Sequence, residues 1–113
     1  MNPVLIRLNS DEDFGESKVA STDVAVPVPM FRIAGHQEVD GSGAGIWECT
    51  PGKFRRQVPQ AEFSYIIEGE GTFTPDEGDV IEFRAGDSLY FAPNTQGEWH
   101  IKQTVRKAYF IVK

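Results

Sequence analysis

Proline and glycine punctuate this chain so often that no window of eleven or more residues keeps a helical apolar stripe without meeting one of them. A helical domain is therefore excluded. The segments between the breaks are short: Val4–Leu8, Met30–Ile33, Gly45–Cys49, Glu62–Glu68, Gly71–Thr74, Asp79–Phe83, Ser88–Phe91, Glu98–Lys102 and Arg106–Val112. Several alternate apolar with polar residues or are rich in β-branched and aromatic side chains, as half-buried strands are. Turn-forming stretches separate them, among them "DGSGAG", "TPG", "EGEG", "PDEGD", "AGD" and "APNTQG". Many short strands joined by turns predict an all-β sandwich or barrel. A length of 113 residues gives room for one domain with one modest core.

Two stretches depart from this pattern. Asn9 to Asp23 is acidic and rich in small residues, and is expected to run over the surface. Val24 to Met30, "VAVPVPM", has prolines at alternating positions. Proline cannot donate to a β-ladder, so this reads as an edge or extended segment that could lie across a second subunit. Together with the apolar piece Val4–Leu8 it leads us to expect a homodimer, with one of these segments covering an exposed edge. No internal repeat is present.

Charge narrows the partners. The formal net charge of −6 repels phosphate backbones, so nucleic acid and anionic membranes are poor partners. No apolar run reaches membrane-spanning length, and the N-terminus lacks the basic start and long apolar centre of a signal peptide. Cys49 is the single cysteine, so no internal disulfide can form, and a cytoplasmic location is the default expectation.

The stretch Pro51–Phe73, "PGKFRRQVPQAEFSYIIEGEGTF", has the form of a metal-holding segment without its histidines. A Pro-Gly turn leads to a strand containing Glu62, then to an apolar run and a Gly69-x-Gly71 pair read as a hairpin. Where imidazoles would stand there are Phe54, Arg55, Arg56, Gln57 and Val58. Six residues separate Glu62 from Gly69. Further on, Gly86-Asp87 precedes a short strand, Ser88–Phe91, and then Pro93 and Gly97. These spacings resemble the two signature regions of the cupin superfamily, with Gly97 where the second region's histidine would fall. Four more marks, Trp47-Glu48-x-x-Pro51-Gly52, Glu62-x-x-Tyr65, Gly97-x-Trp99 and Val105-Arg106-Lys107-x-Tyr109, are similar to those of (S)-ureidoglycine aminohydrolase-like single-domain cupins. The resemblance implies an all-β, single-domain cupin jelly-roll β-barrel over residues 1–113. Residues 1–43 would supply N-terminal strands and the extended segment, and 44–112 the barrel motifs. It also implies a small polar molecule held in the barrel.

In cupins the Glu62 position points into the barrel. With a period of two, Ser64 and Ile66 then face the same way, and Phe63, Tyr65 and Ile67 the other. Lys107 and Tyr109 share a parity on the last strand, which makes Lys107 the natural partner of Glu62. Trp99 shares the inward direction of the missing histidine. Trp47 and Glu48 face opposite sides of one strand, and the sequence leaves open which of them enters. Arg55 or Arg56 could reach the barrel mouth and grip a carboxylate. This assigns Glu62, Lys107 and Tyr109 to catalysis, and Trp99, Ser64, Trp47 and Arg56 to ligand binding. Each assignment has a plainer rival: a solvated barrel mouth for Glu62, an edge-strand charge for Lys107, core packing for Trp99, a solvated loop for the arginines. Cys49 reads as a small buried residue.

His36 falls in the Gly-rich stretch "AGHQEVDGSGAG" and is expected to be solvated; His100 should point away from Trp99. A cupin metal site typically uses three histidines and a glutamate. Here at most one imidazole could reach Glu62, so no metal or other cofactor is expected. Three readings follow: a metal-independent enzyme of nitrogen-compound metabolism, a non-catalytic ligand-binding or accessory module, or a metal-dependent cupin with unusual ligands, Glu62 and His100 among them.

Overall fold

Alternation and turn chemistry together set the strands. The computed structural model describes residues 3–21 and 26–113. Its strands are β1 (Lys18–Val19), β2 (Met30–Val39), β3 (Ser42–Cys49), β4 (Gly52–Arg55), β5 (Glu62–Pro75), β6 (Ile81–Arg84), β7 (Ser88–Phe91) and β8 (Gly97–Ile111). Among the described residues the other regular element is a single 3-10 turn, Asp11–Asp13. Strand pairing is antiparallel throughout, in the order β1-β2-β3-β8-β5-β6, with β4 also paired to β8 and β7 to β5.

The spine is the ribbon formed by β5 and β8, 14 and 15 residues long. Each long strand serves two neighbours. The C-terminal part of β8 pairs with β3 and its N-terminal part with β4, while β5 pairs first with β7 and then with β6. Register shifts between Ile66 and Gly71 bend the ribbon where it passes from one pair of neighbours to the next. Gly69 sits there with φ of 91°, a conformation that side-chain-bearing residues avoid. The curled sheet is a jelly-roll barrel, as expected from the turn-separated strands.

Several element boundaries are corrected. The Gly69-x-Gly71 pair makes a bulge inside one continuous strand, not a hairpin, because β8 offers hydrogen-bond partners on both sides of the kink. The segments read as 98–102 and 106–112 likewise join into β8. Val4–Leu8 forms no strand; Ile6 and Leu8 instead pack on Phe14, Ala34 and Ile46 on the outside of the barrel. The stretch after Pro51, read as turn and loop, contains β4. β2 runs on through His36 to a tight turn at Asp40-Gly41, whose φ values of 51° and 82° are those of a two-residue hairpin loop. Of the proline-rich segment, Val24 and Ala25 lie outside the described residues; Val26 is exposed and Pro29 is buried.

The core is aromatic. Trp99 meets Phe73, Phe83 and Phe91 at centroid distances of 5.1, 5.7 and 5.4 Å. Ala20, Cys49, Phe54, Ile66, Ile101 and Val105 complete the buried cluster. Such ring pairs stabilise beyond their buried area by about 0.5–1.5 kcal/mol each. No helix among the described residues is long and apolar enough to cross a membrane.

Candidate functional site

Strand alternation carries polar groups into this apolar interior. On β5, Glu62, Ser64 and Ile66 are buried, while Phe63, Tyr65 and Ile67 are exposed. On β8 the inward series is Trp99, Ile101, Val105, Lys107 and Tyr109. The same period runs from β4 into the following residues, where Gly52, Phe54 and Arg56 are buried and Lys53 and Arg55 are not. Trp47 takes the inward place on β3 and lines the cavity, which settles the choice the sequence left open. Glu48 faces out, held by Arg32 at 2.8 Å and Arg106 at 2.6 Å.

The buried polar groups meet. Lys107 Nζ donates to Glu62 Oε2 at 2.7 Å, and the Ser64 hydroxyl donates to the same oxygen at 2.6 Å. Arg56 Nη2 reaches Glu62 Oε1 at 3.3 Å. The same Nη2 also donates to the Gln60 carbonyl, Nη1 donates to the carbonyls of Val58 and Thr95, and the guanidinium carbon lies 4.4 Å above the Phe91 ring. Lys107 Nζ is flanked by two indoles, 4.6 Å from the Trp47 centroid and 4.7 Å from that of Trp99. Ring faces favour a cation there. The arginines therefore part company: Arg56 joins the interior, while Arg55 forms a two-pronged surface pair with Asp76.

These groups border a cavity of about 240 Å³ lined by Glu62, Lys107, Tyr109, Trp47, Trp99 and Arg56 together with Ala20, Phe31, Ile33, Phe54, Gln57, Val58 and Ile111, with Arg55 also at its border. Ser64 is buried behind Glu62 and does not line it. Phe31, Ile33 and Phe54 escaped the sequence reading. Phe54 could have been found from its alternation with Arg56; nothing in the sequence marks the other two.

Tyr109 brings a partner that was missed altogether. Its hydroxyl lies 2.6 Å from His36 Nδ1, and the two rings stack at 6.1 Å. His36 is exposed, as expected, but it lies on β2 and not in a loop. It sits where the β2–β3 register shifts between Ala34 and Gln37, and the bulge turns its ring towards Tyr109. Gly45, opposite Tyr109 on β3, makes the space: a Cβ there would come within 2.6 Å of the phenol oxygen.

The electrostatics follow from the geometry. Burial pushes the Glu62 carboxyl up, but the Lys107 ammonium, the Ser64 hydroxyl and the Arg56 guanidinium outweigh it, and its pKa lies below the ordinary carboxylate value. Burial pushes Lys107 down; Glu62 opposes this and Arg56 reinforces it, leaving the ammonium below the ordinary lysine value. Both directions fit one carboxylate shared by two cations. Burial, then the charge of Glu62, raises Tyr109 to about 12, and burial raises Cys49 to about 12 against the pull of Lys107. Tyrosine and cysteine are thus neutral at physiological pH.

These residues do not suit a metal ion. Both oxygens of Glu62 are taken up by Lys107, Ser64 and Arg56, and a divalent cation beside them would face two positive charges. His100 alternates away from Trp99, and no cluster of three or more His, Cys, Asp or Glu with metal-holding geometry occurs among the described residues.

Comparison with known proteins agrees with this architecture. Nothing among curated proteins matches the sequence. The structure is similar to the EutQ protein of Clostridium difficile, with a TM-score of 0.65, 17% identity, and coverage of 83% of this chain and 79% of that one. It is also similar to a DUF861 family protein from Thermotoga maritima, with a TM-score of 0.57, 28% identity, and coverage of 59% and 76%. Ectoine synthase from P. lautus shares the fold at a TM-score of 0.61 and 14% identity, covering 71% of this chain and 62% of that one. The family model for the EutQ-like cupin domain matches residues 37–109, from the end of β2 through the buried lysine and tyrosine of β8, and the chain belongs to that family.

Proposed function

We propose that the barrel cavity binds a small polar molecule and that Glu62, Lys107 and Tyr109 act on it without a metal. The observation that carries this reading is the buried Glu62–Lys107 pair, 2.7 Å apart, on the wall of a cavity otherwise lined with aromatic rings. A buried ion pair is seldom retained for stability alone, and perturbed acids and bases in clefts mark functional sites. Lys107 would supply a proton to a developing anion, Glu62 would accept one, and Tyr109 would orient a carbonyl by hydrogen bonding. Hydrolysis or addition at a carbonyl of a nitrogen compound is the reaction class, in keeping with the likeness of four motifs to ureidoglycine aminohydrolase-like cupins. The rival is a binding module with the same pocket and no turnover.

A screen of small amides, ureides and carboxylic acids by thermal shift, with native mass spectrometry of the purified protein, tests the pocket. At least one compound should raise the melting temperature of the wild type and fail with Trp47→Ala. If no compound binds and none copurifies, the pocket reading falls. Product formation followed by NMR then separates enzyme from module: turnover abolished in Glu62→Gln supports chemistry, and binding without turnover supports the module.

Homodimerisation and a cytoplasmic location belong to the same proposal. Val4–Leu8 is less suited to the interface than expected, because Ile6 and Leu8 cover part of the chain's own outer sheet face. The neighbouring part of that face carries Phe63, Tyr65, Tyr90 and Phe110, aligned across β7, β5 and β8 and 42–67% exposed. A second copy would shield it. Light scattering at tens of micromolar should give twice the monomer mass, and a monomer there would remove the dimer from the proposal.

A further inference from the structure

Counting charge inside the barrel leads to a ligand class. Three ionisable side chains with strongly buried charged ends face one another there: Arg56, Glu62 and Lys107, their side chains 2%, 3% and 7% exposed. Arginine keeps its proton in proteins. With Lys107 held as an ammonium by its 2.7 Å hydrogen bond to Glu62 and by the two indole faces, two cations against one carboxylate leave the cluster one positive charge in excess. Among the described residues the neighbouring elements do not offset it. Tyr109 and Cys49 are neutral, Glu48 is engaged outside with Arg32 and Arg106, and Asp76 is engaged outside with Arg55. A buried, uncompensated charge is unfavourable, and the site gains when a counter-charge enters.

Arg56 borders the cavity beside Glu62 and Lys107. The free space of about 240 Å³ corresponds to about eight non-hydrogen atoms at roughly 30 Å³ each. The walls beside the charges are flat and apolar, formed by Phe31, Trp47, Phe54 and Trp99.

We infer that the cavity is selective for a small monoanion, a carboxylate of about eight non-hydrogen atoms with a flat or short apolar body. Its carboxylate would complete the charge balance beside Lys107 and Arg56, and its body would lie against the indoles. This rests on the pocket reading above and adds the charge and size of what enters.

Three near-isosteric probes isolate charge: benzoate, benzamide and benzamidine, which are anionic, neutral and cationic. Each is titrated into the nitrogen-15-labelled protein at neutral pH while the indole N–H resonances of Trp47 and Trp99 are followed. Benzoate should shift both indoles and bind at least tenfold more tightly than benzamide, with benzamidine weakest. Lys107→Met, which brings the cluster to zero net charge, should lose at least tenfold in benzoate affinity while its benzamide affinity stays within threefold. Should Lys107→Met fail to fold, the wild-type ranking together with loss of benzoate binding in 1 M chloride stands as the measure. Equal or tighter binding of benzamide or benzamidine at the indoles overturns the monoanion inference and leaves the pocket reading intact. Silence from all three probes also overturns it, and the compound screen described above then decides the fate of the pocket itself.

Discussion

Two carboxylates in this barrel are each gripped by two cations, and they do opposite things. Glu62 lies inside, between Arg56 and Lys107. Glu48 lies outside, between Arg32 and Arg106, with Asp11 reaching both arginines and Phe14 beneath them at 4.1 and 5.2 Å. Their partners are chain neighbours: Arg106 and Lys107 are consecutive on β8, and Trp47 and Glu48 are consecutive on β3. The decisive difference is water. The outer carboxylate is 12% exposed and its arginines 23–25%, so solvent screens the cluster, and Asp11 balances the second arginine. That cluster clamps the N-terminal segment over the sheet. The inner cluster, 2–7% exposed, meets solvent only through the cavity, and there its imbalance is available to a ligand.

Substitutions can break or sharpen this contrast. The largest effect is expected for Glu62→Gln. It leaves two buried cations facing each other and should destabilise the protein by about 3–5 kcal/mol in urea unfolding. A cost under 1 kcal/mol would mean the inner cluster is as well solvated as the outer one. The same variant has a pH signature. The folded pKa of Glu62 lies below its unfolded value of about 4.3, so its contribution is present above that value and is lost as pH falls through the folded pKa. The acid limb of stability against pH should shrink in Glu62→Gln, with the share due to Glu48 remaining, because Glu48 is also lowered by its two arginines against the effect of burial.

Next comes Lys107→Met. Glu62 keeps Arg56 and Ser64, so the loss should be smaller, about 1–3 kcal/mol. If this variant proves less stable than Glu62→Gln, Arg56 does not hold the carboxylate and the three-group description fails. Glu48→Gln should cost about 1 kcal/mol, and the difference from wild type should shrink in 1 M salt. A loss that salt leaves unchanged would place the outer cluster in the same dry environment as the inner one. The smallest effect belongs to Asp76→Asn at the exposed Arg55 pair, where denaturation should detect no change.

Much of this was legible in the chain, for a local reason. A strand has a period of two, so the burial of Glu62, Ser64 and Ile66 and the exposure of Phe63, Tyr65 and Ile67 follow once one member is placed. The same rule put Lys107 with Tyr109 and His100 opposite Trp99. It holds only within an unbroken strand. Between Ile66 and Gly71 the bulge in β5 flips the inward parity from even to odd numbers, and the Gly69-x-Gly71 pair that makes it looks like a hairpin to any reading of turn chemistry. Arg56 was undecided because nothing in "KFRRQVP" says whether the alternation of β4 continues past its last ladder bond.

The sequence by itself determined the class of fold and the facing of most side chains, because breaks and alternation are properties of neighbouring residues. Only the tertiary structure decided which inward groups meet. Lys107 finds Glu62 across 45 positions, and Tyr109 finds His36 across 73. Those meetings depend on strand order and on two bulges, and so does the count of charges that share one dry space. A chain read in one dimension contains three arginines, three acids and a lysine among these residues; the curled sheet alone sorts them into a solvated clamp of Arg32, Arg106, Glu48 and Asp11 and a buried cluster of Arg56, Lys107 and Glu62 with one positive charge to spare.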